Sequence, residues 1–112
     1  MPRSKPAETI FGKRLRESRL RAGIAQDKLG VLIGLDEASS SARMSRYEGG
    51  IHEPPLQLVE KMAEVLGVPL PYFYCKDDEL AGFIRDIGGL DGEGRMRLRA
   101  CLDELLPPDQ AE

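Results

Sequence analysis

Residues 26–48 read QDKLGVLIGLDEASSSARMSRYE and contain two short helical patterns separated by a glycine. The apolar residues of the first pattern recur at helical spacing, and they are Leu29, Leu32 and Ile33. Gly34 follows them, and glycine ends a helix at little cost because it readily takes the left-handed conformation. After a connector rich in Asp, Glu and Ser, Ser40 is a good N-cap for a second helix that ends at Gly49. The stretch therefore predicts two helices that meet at a turn.

The second of these helices would bury one face and leave another face free. Met44, Tyr47 and Glu48 fall together on the buried face. The free face carries Ser41, Ala42, Ser45 and Arg46. Small side chains allow a helix to approach the major groove of DNA closely, and a guanidinium group can read guanine. We therefore predict these four residues as base contacts, with Arg43 on the flank within reach of a base or a phosphate. The alternative is an ordinary exposed polar helix.

The flanking segments also have helical periodicity. Residues 11–26, FGKRLRESRLRAGIAQ, carry one stripe formed by Phe11, Leu15, Ser18 and Ala22. Six basic residues lie in or beside this segment: Lys13, Arg14, Arg16, Arg19, Arg21 and Lys28. Residues 49–70, GGIHEPPLQLVEKMAEVLGVPL, place Pro55 at a first helical position. The stripe that follows consists of Val59, Met62, Ala63 and Leu66.

Taken together, these segments resemble a known family. From Phe11 to Cys75 the chain is similar to the helix-turn-helix family of lambdoid phage repressors and Cro, often called the XRE family. The matching segments are FGKRLRESR, GIAQDKLGVLIGL, RMSRYEGGIHEP and LVEKMAEVLGVPL. The resemblance implies an all-α domain of five short helices that binds DNA, in which residues 72–74 belong to the fifth helix.

The chain departs from the family pattern at two places. Ala25 stands where the family usually has a Ser or Thr cap, and the connector Leu35–Ser39 is longer than the usual turn. The longer connector allows the recognition helix to start at Asp36 instead of Ser40. That start would add a turn with only Ala38 to bury, so we prefer the start at Ser40.

The resemblance also implies roles for individual residues. Gln26 opens the second helix, where outward N–H groups suit a phosphate, and the family places a glutamine here on the DNA backbone. Arg19 and Glu48 match a partly buried ion pair that joins the first helix to the end of the recognition helix. We predict that the phosphate contacts are made by Gln26, Ser40, Lys28, Arg3 and Lys5. The last two lie in residues 1–8, which we expect to form a flexible basic arm that reaches a groove or a phosphate.

The composition restricts the class of protein. The 112 residues have a formal charge of −3, but residues 1–48 carry +4 and residues 49–112 carry −7, so one half can still face nucleic acid. Cys75 and Cys101 form no CxxC pair and His52 is the single histidine, so no metal site, cofactor or disulfide is expected. With no glycine-rich phosphate loop either, we expect no enzyme. The amino terminus lacks the apolar region of a signal peptide, and no apolar run approaches a membrane span, so we expect a cytoplasmic protein.

Beyond Cys75 the sequence predicts two amphipathic helices. Their apolar stripes consist of Leu80, Phe83, Ile84 and Ile87, and of Leu98, Cys101, Leu102, Leu105 and Leu106. These stripes could pack back on the five-helix core, but a five-helix domain of this family is already complete, so we predict that they form a subunit interface. The expected interface residues are Leu80, Phe83, Ile84, Ile87, Leu98, Leu102 and Leu105. We expect Cys101 to pack within its stripe and to have no redox role.

These observations predict three segments and one leading function. The segments are the arm (residues 1–8), a DNA-binding domain (residues 9–75) and a C-terminal helical segment for dimerisation (residues 76–112). We expect a sequence-specific transcriptional regulator, a repressor, that binds double-stranded DNA with an inverted repeat as a homodimer. The alternative is an antitoxin-type or adaptor protein whose main role is to bind a partner protein.

Overall fold

Helices account for all the regular secondary structure between Thr9 and Asp109, the residues that the structure, a computed structural model, describes. In chain order they are α1 (Ile10–Ala22), α2 (Gln26–Leu32), α3 (Glu37–Glu48), α4 (Leu56–Leu66), a 3₁₀ helix (Leu70–Tyr74), α5 (Asp78–Gly88) and α6 (Gly92–Leu105). This order confirms the predicted all-α architecture of five short helices followed by two C-terminal ones. None of the helices in the described range combines the length and apolarity that crossing a bilayer requires.

Local signals set the ends of the first two helices. Thr9 caps α1, because its hydroxyl oxygen accepts a hydrogen bond from the backbone N–H of Gly12 at 2.9 Å. Gly23 ends α1 with φ 71°, and Gly34 turns the chain after α2 with φ 100°. Both angles lie in the left-handed region that glycine adopts without a Cβ clash. The turn predicted at Gly34 is therefore present.

The core lies where α1 to α4 meet the 3₁₀ helix. Its largest fully buried apolar side chains are Leu15, Leu29, Ile33, Met44, Val59, Met62 and Phe73. The rings of Phe11 and Phe73 stand 5.5 Å apart, so the 3₁₀ helix closes the core over the start of α1. Tyr74 is half-exposed. Ala22, expected on the buried stripe of α1, is exposed because the helix ends there, beyond the edge of the core.

The recognition helix starts earlier than expected. The predicted start at Ser40 is wrong: α3 begins at Glu37, and Asp36 is its N-cap. The extra residues therefore lengthen the helix instead of the turn. Ser40 is fully buried, and its hydroxyl donates a 2.6 Å hydrogen bond to the backbone oxygen of Asp27. Because this bond satisfies the hydroxyl, Ser40 can be buried beside Met44, and it extends the buried face of α3 by one turn.

Gly30 makes the close crossing of α2 and α3 possible. A Cβ built on Gly30 would overlap the hydroxyl oxygen of Ser40 and would stand 3.0 Å from the Cγ of Met44. We expect Gly30→Ala to lower the free energy of unfolding by about 1–3 kcal/mol, because an added methyl forces these packed helices apart. Chemical denaturation measures the change.

Gly82→Ala is the matched control, because the nearest atom to its new methyl is the mobile Nη2 of Arg85, at 3.8 Å. We expect this control to be neutral or slightly stabilising, since alanine is the better helix former. Equal stability of the two variants would contradict the tight crossing.

The two C-terminal helices leave much apolar surface uncovered. In α5 the buried residue is Ala81, while Leu80 and Phe83 are 51% and 55% exposed. None of the α6 residues is buried by the described part of the chain, and Leu105 is 79% exposed. Ile84 was predicted as an interface residue, but part of its side chain packs against the edge of the core instead. Ile87, Leu98 and Leu102 are half-buried, and Cys101 is exposed.

Candidate nucleic-acid interface

α3 presents one continuous free face to solvent. Met44 and Tyr47 hold its opposite face in the core. The exposed residues along the free side are Ala38, Ser41, Ala42, Ser45 and Arg46. The side chain of Arg46 makes no hydrogen bond or ion pair with the described residues, so its guanidinium group is free for a ligand. The helix therefore offers a narrow surface of small side chains with one exposed arginine, Arg46.

Arg43 is also exposed but has a partner within the helix. Its Nη2 donates a 3.0 Å hydrogen bond to the hydroxyl oxygen of Tyr47. Its guanidinium carbon stands 6.0 Å from the centroid of the Tyr47 ring, within the range of a cation–π contact. A contact from Arg43 to a base or phosphate would therefore compete with this arrangement, whereas Arg46 has no such competitor.

Arg19, Glu48 and Gln26 form a hydrogen-bonded group beside this face. The Nε of Arg19 donates to Oε2 of Glu48, and its Nη2 donates to Oε1 at 3.1 Å, so the predicted ion pair is present as a two-point contact. The side chains are 11% and 6% exposed. The amide nitrogen of Gln26 donates to the same Oε1 at 3.0 Å. The group joins the ends of α1 and α3 to the start of α2.

The other predicted phosphate contacts have different surroundings. Ser40 is wrong as a phosphate contact, because its hydroxyl is buried on the carbonyl oxygen of Asp27. Lys28 is exposed and lies at a shallow depression that it shares with Asp27, Glu37 and two apolar side chains. Arg3 and Lys5 lie outside the described residues.

Two candidate residues were missed by the sequence reasoning. Arg16 lines a depression together with Gln26 and Ser45, so it lies at the border of the free face. Ala38 adds a further small residue to that face, because α3 starts one turn earlier than predicted. Arg16 had a signal, since it belongs to a basic run. Among the described residues, no group of three or more His, Cys, Asp or Glu side chains could hold a metal ion.

Comparison with known proteins agrees with this geometry. Residues 10–71, more than half of the chain, match the helix-turn-helix domain family. The chain belongs to this family. It is therefore a DNA-binding transcriptional regulator, and its five-helix domain is similar to those of the XRE and Cro-like members.

Individual relatives of this helix-turn-helix regulator are also regulators by name. The structure is similar to the crystal structure of transcriptional regulator BswR, with a TM-score of 0.80 and 43% sequence identity. The match covers 83% of this chain and 92% of that chain. The cryptic phage CTXphi transcriptional repressor RstR of Vibrio cholerae is 28% identical over 102 residues, which are 87% of this chain and 88% of the repressor.

A helix-turn-helix transcriptional regulator of Sinorhizobium medicae is 26% identical over 69 residues. The match covers 62% of this chain and 47% of that protein, so this chain spans about half of its length.

Proposed function

We propose that this regulator is a repressor that binds an inverted-repeat operator as a homodimer. The observation that carries the proposal is the free face of α3, where small residues surround Arg46, whose side chain has no partner in the part of the chain that the structure describes. Such a face can enter a major groove, and one arginine can make a two-point contact to guanine. The relative RstR is named a transcriptional repressor, and the match covers 88% of its length. This name supports repression as the outcome.

The distribution of charge supports one orientation on DNA. Arg16 and Arg46 lie near the C-terminal half of α3, whereas Asp36 and Glu37 are exposed at its start. Phosphates are attracted to the first group and repelled by the second. We therefore infer that the C-terminal half of α3, with Ser45 and Arg46, lies closest to the DNA and that Ala38 lies at the margin of the contact.

The uncovered apolar surface of α5 and α6 supports the dimer. α6 has 14 residues and no face buried by the described chain, and an isolated helix of that length is only marginally stable in water. A second copy would offer the same surface, since a two-fold interface pairs a patch with itself. Dimers of this kind read two half-sites about 34 Å apart, which an inverted repeat provides.

Selection of bound sequences from a random pool of DNA duplexes tests the proposed function. We expect a two-fold symmetric motif to be enriched from the pool by the full-length chain. A single half-site without symmetry would contradict the dimer. No enrichment even at low salt, where phosphate contacts are strongest, would favour the adaptor alternative.

The dimer interface has its own prediction. We expect the double variant Phe83→Glu with Leu105→Glu to raise the dimer dissociation constant at least tenfold, a cost of about 1.4 kcal/mol or more, because it introduces charge into an apolar interface. Both side chains are more than half exposed in one chain, so its own fold should lose little. Sedimentation velocity across a concentration series measures the change.

Met96→Glu is the control for that variant. Met96 is equally apolar and 74% exposed, but helical spacing places it opposite the stripe of Leu98, Leu102 and Leu105. It should leave the dimer unchanged. An unchanged dimer in the double variant as well would show that the interface lies elsewhere.

A further inference from the structure

We propose that Arg14 is a positioning residue that sets the direction of α5 relative to the DNA-binding helices, and through it the half-site spacing that the dimer accepts. The second part of this inference rests on the proposed function, because spacing has a meaning only for a two-fold complex. The first part concerns a single chain and stands on its own contacts.

Arg14 is buried on α1 and is bonded to the connector that leads into α5. Its Nε donates to the backbone oxygen of Cys75 at 2.9 Å, and its Nη2 donates to that of Lys76 at 3.2 Å and to Oδ1 of Asp78 at 2.9 Å. Its Nη1 donates to Oε1 of Glu17 at 3.0 Å. The residue is only 2% exposed, so this arginine does not belong to the DNA-facing basic surface. One planar group thus holds two residues of the connector and the first residue of α5 against α1.

The surroundings of Arg14 keep the cluster charged and rigid. Burial opposes the charge of Arg14, but the hydrogen bonds that it donates to Asp78 and Glu17 and the negative charges of these carboxylates outweigh burial, so the pKa of Arg14 is raised. Hydrogen bonds from Lys13 and Arg14 lower the pKa of Asp78, which therefore stays ionised at neutral pH. The Tyr72 hydroxyl donates to the same Oε1 of Glu17 at 3.3 Å, so this oxygen accepts from both Tyr72 and Arg14.

Apolar contacts alone hold α5 weakly. Ala81 is its one residue buried within the described chain, and Ile84 touches the edge of the core. At the far end, Gly88 lies so close to the Pro69 ring that a Cβ on Gly88 would overlap it. A helix whose apolar contacts are Ala81, the partly buried Ile84 and the approach of Gly88 to Pro69 can pivot when its first turn is released. The bonds from Arg14 to Cys75, Lys76 and Asp78 act at that turn.

A small pivot at this turn is large enough to change the spacing. α5 has 11 residues, so at 1.5 Å per residue it is about 16 Å long. A rotation of roughly 10° about its start moves its far end by about 3 Å, close to the 3.4 Å that separates successive base pairs. α6 extends the lever further in a molecule with a longest dimension of 54 Å. Loss of the Arg14 contacts should therefore widen the range of half-site spacings that the dimer accepts by about one base pair.

Two variants and a control test the spacing. Arg14→Met removes all four bonds of Arg14. Asp78→Ala removes one of these four bonds together with the ion pair between Asp78 and Lys13, at a side chain that is 71% exposed, so the second variant should fold normally. Asp86→Ala is the control, because Asp86 is an equally exposed acid of α5 that pairs only with the neighbouring Arg85 among the described residues. Full-length proteins are titrated with duplexes that carry one half-site, or two half-sites at spacings that differ by single base pairs.

We expect the wild type and Asp86→Ala to prefer one spacing by at least tenfold. Asp78→Ala should keep its affinity for a single half-site within about twofold but lose roughly threefold or more of that spacing preference, and Arg14→Met should lose more. Unchanged spacing preference in both variants would overturn the inference. A wild type that binds half-sites but shows no preference for any spacing would instead overturn the proposed dimer.

A distance measurement tests the role of Arg14 even if the wild type shows no preference for any half-site spacing. Spin labels are placed on Asp86→Cys, an exposed position of α5, and on Glu60→Cys, an exposed position of α4, in a background with Cys75→Ser and Cys101→Ser, and the labelled chain is diluted with unlabelled chain. We expect one narrow distance distribution for the wild type and a distribution at least twice as wide for Arg14→Met and Asp78→Ala. Equal widths would show that Arg14 does not set the direction of α5.

Discussion

Arg19→Met is expected to lower the free energy of unfolding by about 3–5 kcal/mol, measured by chemical denaturation. The carboxylate of Glu48 is only 6% exposed, and Arg19 is its charged partner in the structure. Removal of the guanidinium group leaves a buried charge with one neutral donor, the amide of Gln26. It also breaks the 2.9 Å hydrogen bond from Nη1 to the backbone oxygen of Ile24.

Two further variants test whether the loss of stability comes from the burial of the charges or from the loss of an ion pair alone. Arg99→Ala breaks the exposed pair with Asp103, whose atoms lie 3.5 Å apart, and should change stability by less than about 1 kcal/mol. The double variant Arg19→Met with Glu48→Leu removes both buried charges and should recover part of the loss. A loss of less than 1 kcal/mol in Arg19→Met itself would contradict a tightly bound buried pair.

Arg46→Ala is expected to reduce the preference for the operator over random DNA by roughly 10- to 100-fold, about 1–3 kcal/mol. Arg46 is the exposed arginine of α3 that has no partner among the described residues, so it is the one best placed for a two-point contact to guanine. Affinities for the selected operator and for random duplex are measured at matched salt, since salt alone changes both.

Lys28→Ala is the control for a phosphate contact. It should weaken binding to operator and random DNA nearly equally, because phosphates are the same in every sequence. Gln26→Ala is less suitable, since the amide of Gln26 also holds Glu48 and its loss would disturb α3. If Arg46→Ala keeps the wild-type ratio of affinities for operator and random DNA, another part of α3, such as its first turn at Ala38, reads the bases.

Periodicity in the sequence was a reliable guide wherever the buried side chains were apolar. Val59, Met62 and Ala63 are buried at the predicted spacing in α4, and Leu29 and Ile33 are buried beside the predicted turn at Gly34. The same search missed Ser40, because it assigned this serine to the N-cap of α3 and to a phosphate contact. Its hydroxyl is satisfied inside the core by a carbonyl oxygen, and that acceptor belongs to another helix.

Arg14 was missed for a related reason. It lies three residues after Phe11 and four before Ser18, on the buried stripe of α1, so a periodicity signal did exist. The basic run around it nevertheless favoured a role on the surface with Arg16. A buried arginine is stable only where several acceptors converge on it, and the sequence around Arg14 does not reveal those acceptors.

The sequence by itself determined the family, the helical elements and the places where they turn, because helix periodicity, caps and glycine turns act over a few neighbouring residues. It also placed Arg46 on the free face of α3. The tertiary structure decided which polar residues are buried and where α3 begins. Those properties depend on partners far apart in the chain: Ser40 bonds to a residue 13 positions away, and Arg14 bonds to Cys75, 61 positions away. Only the folded chain brings such donors and acceptors together.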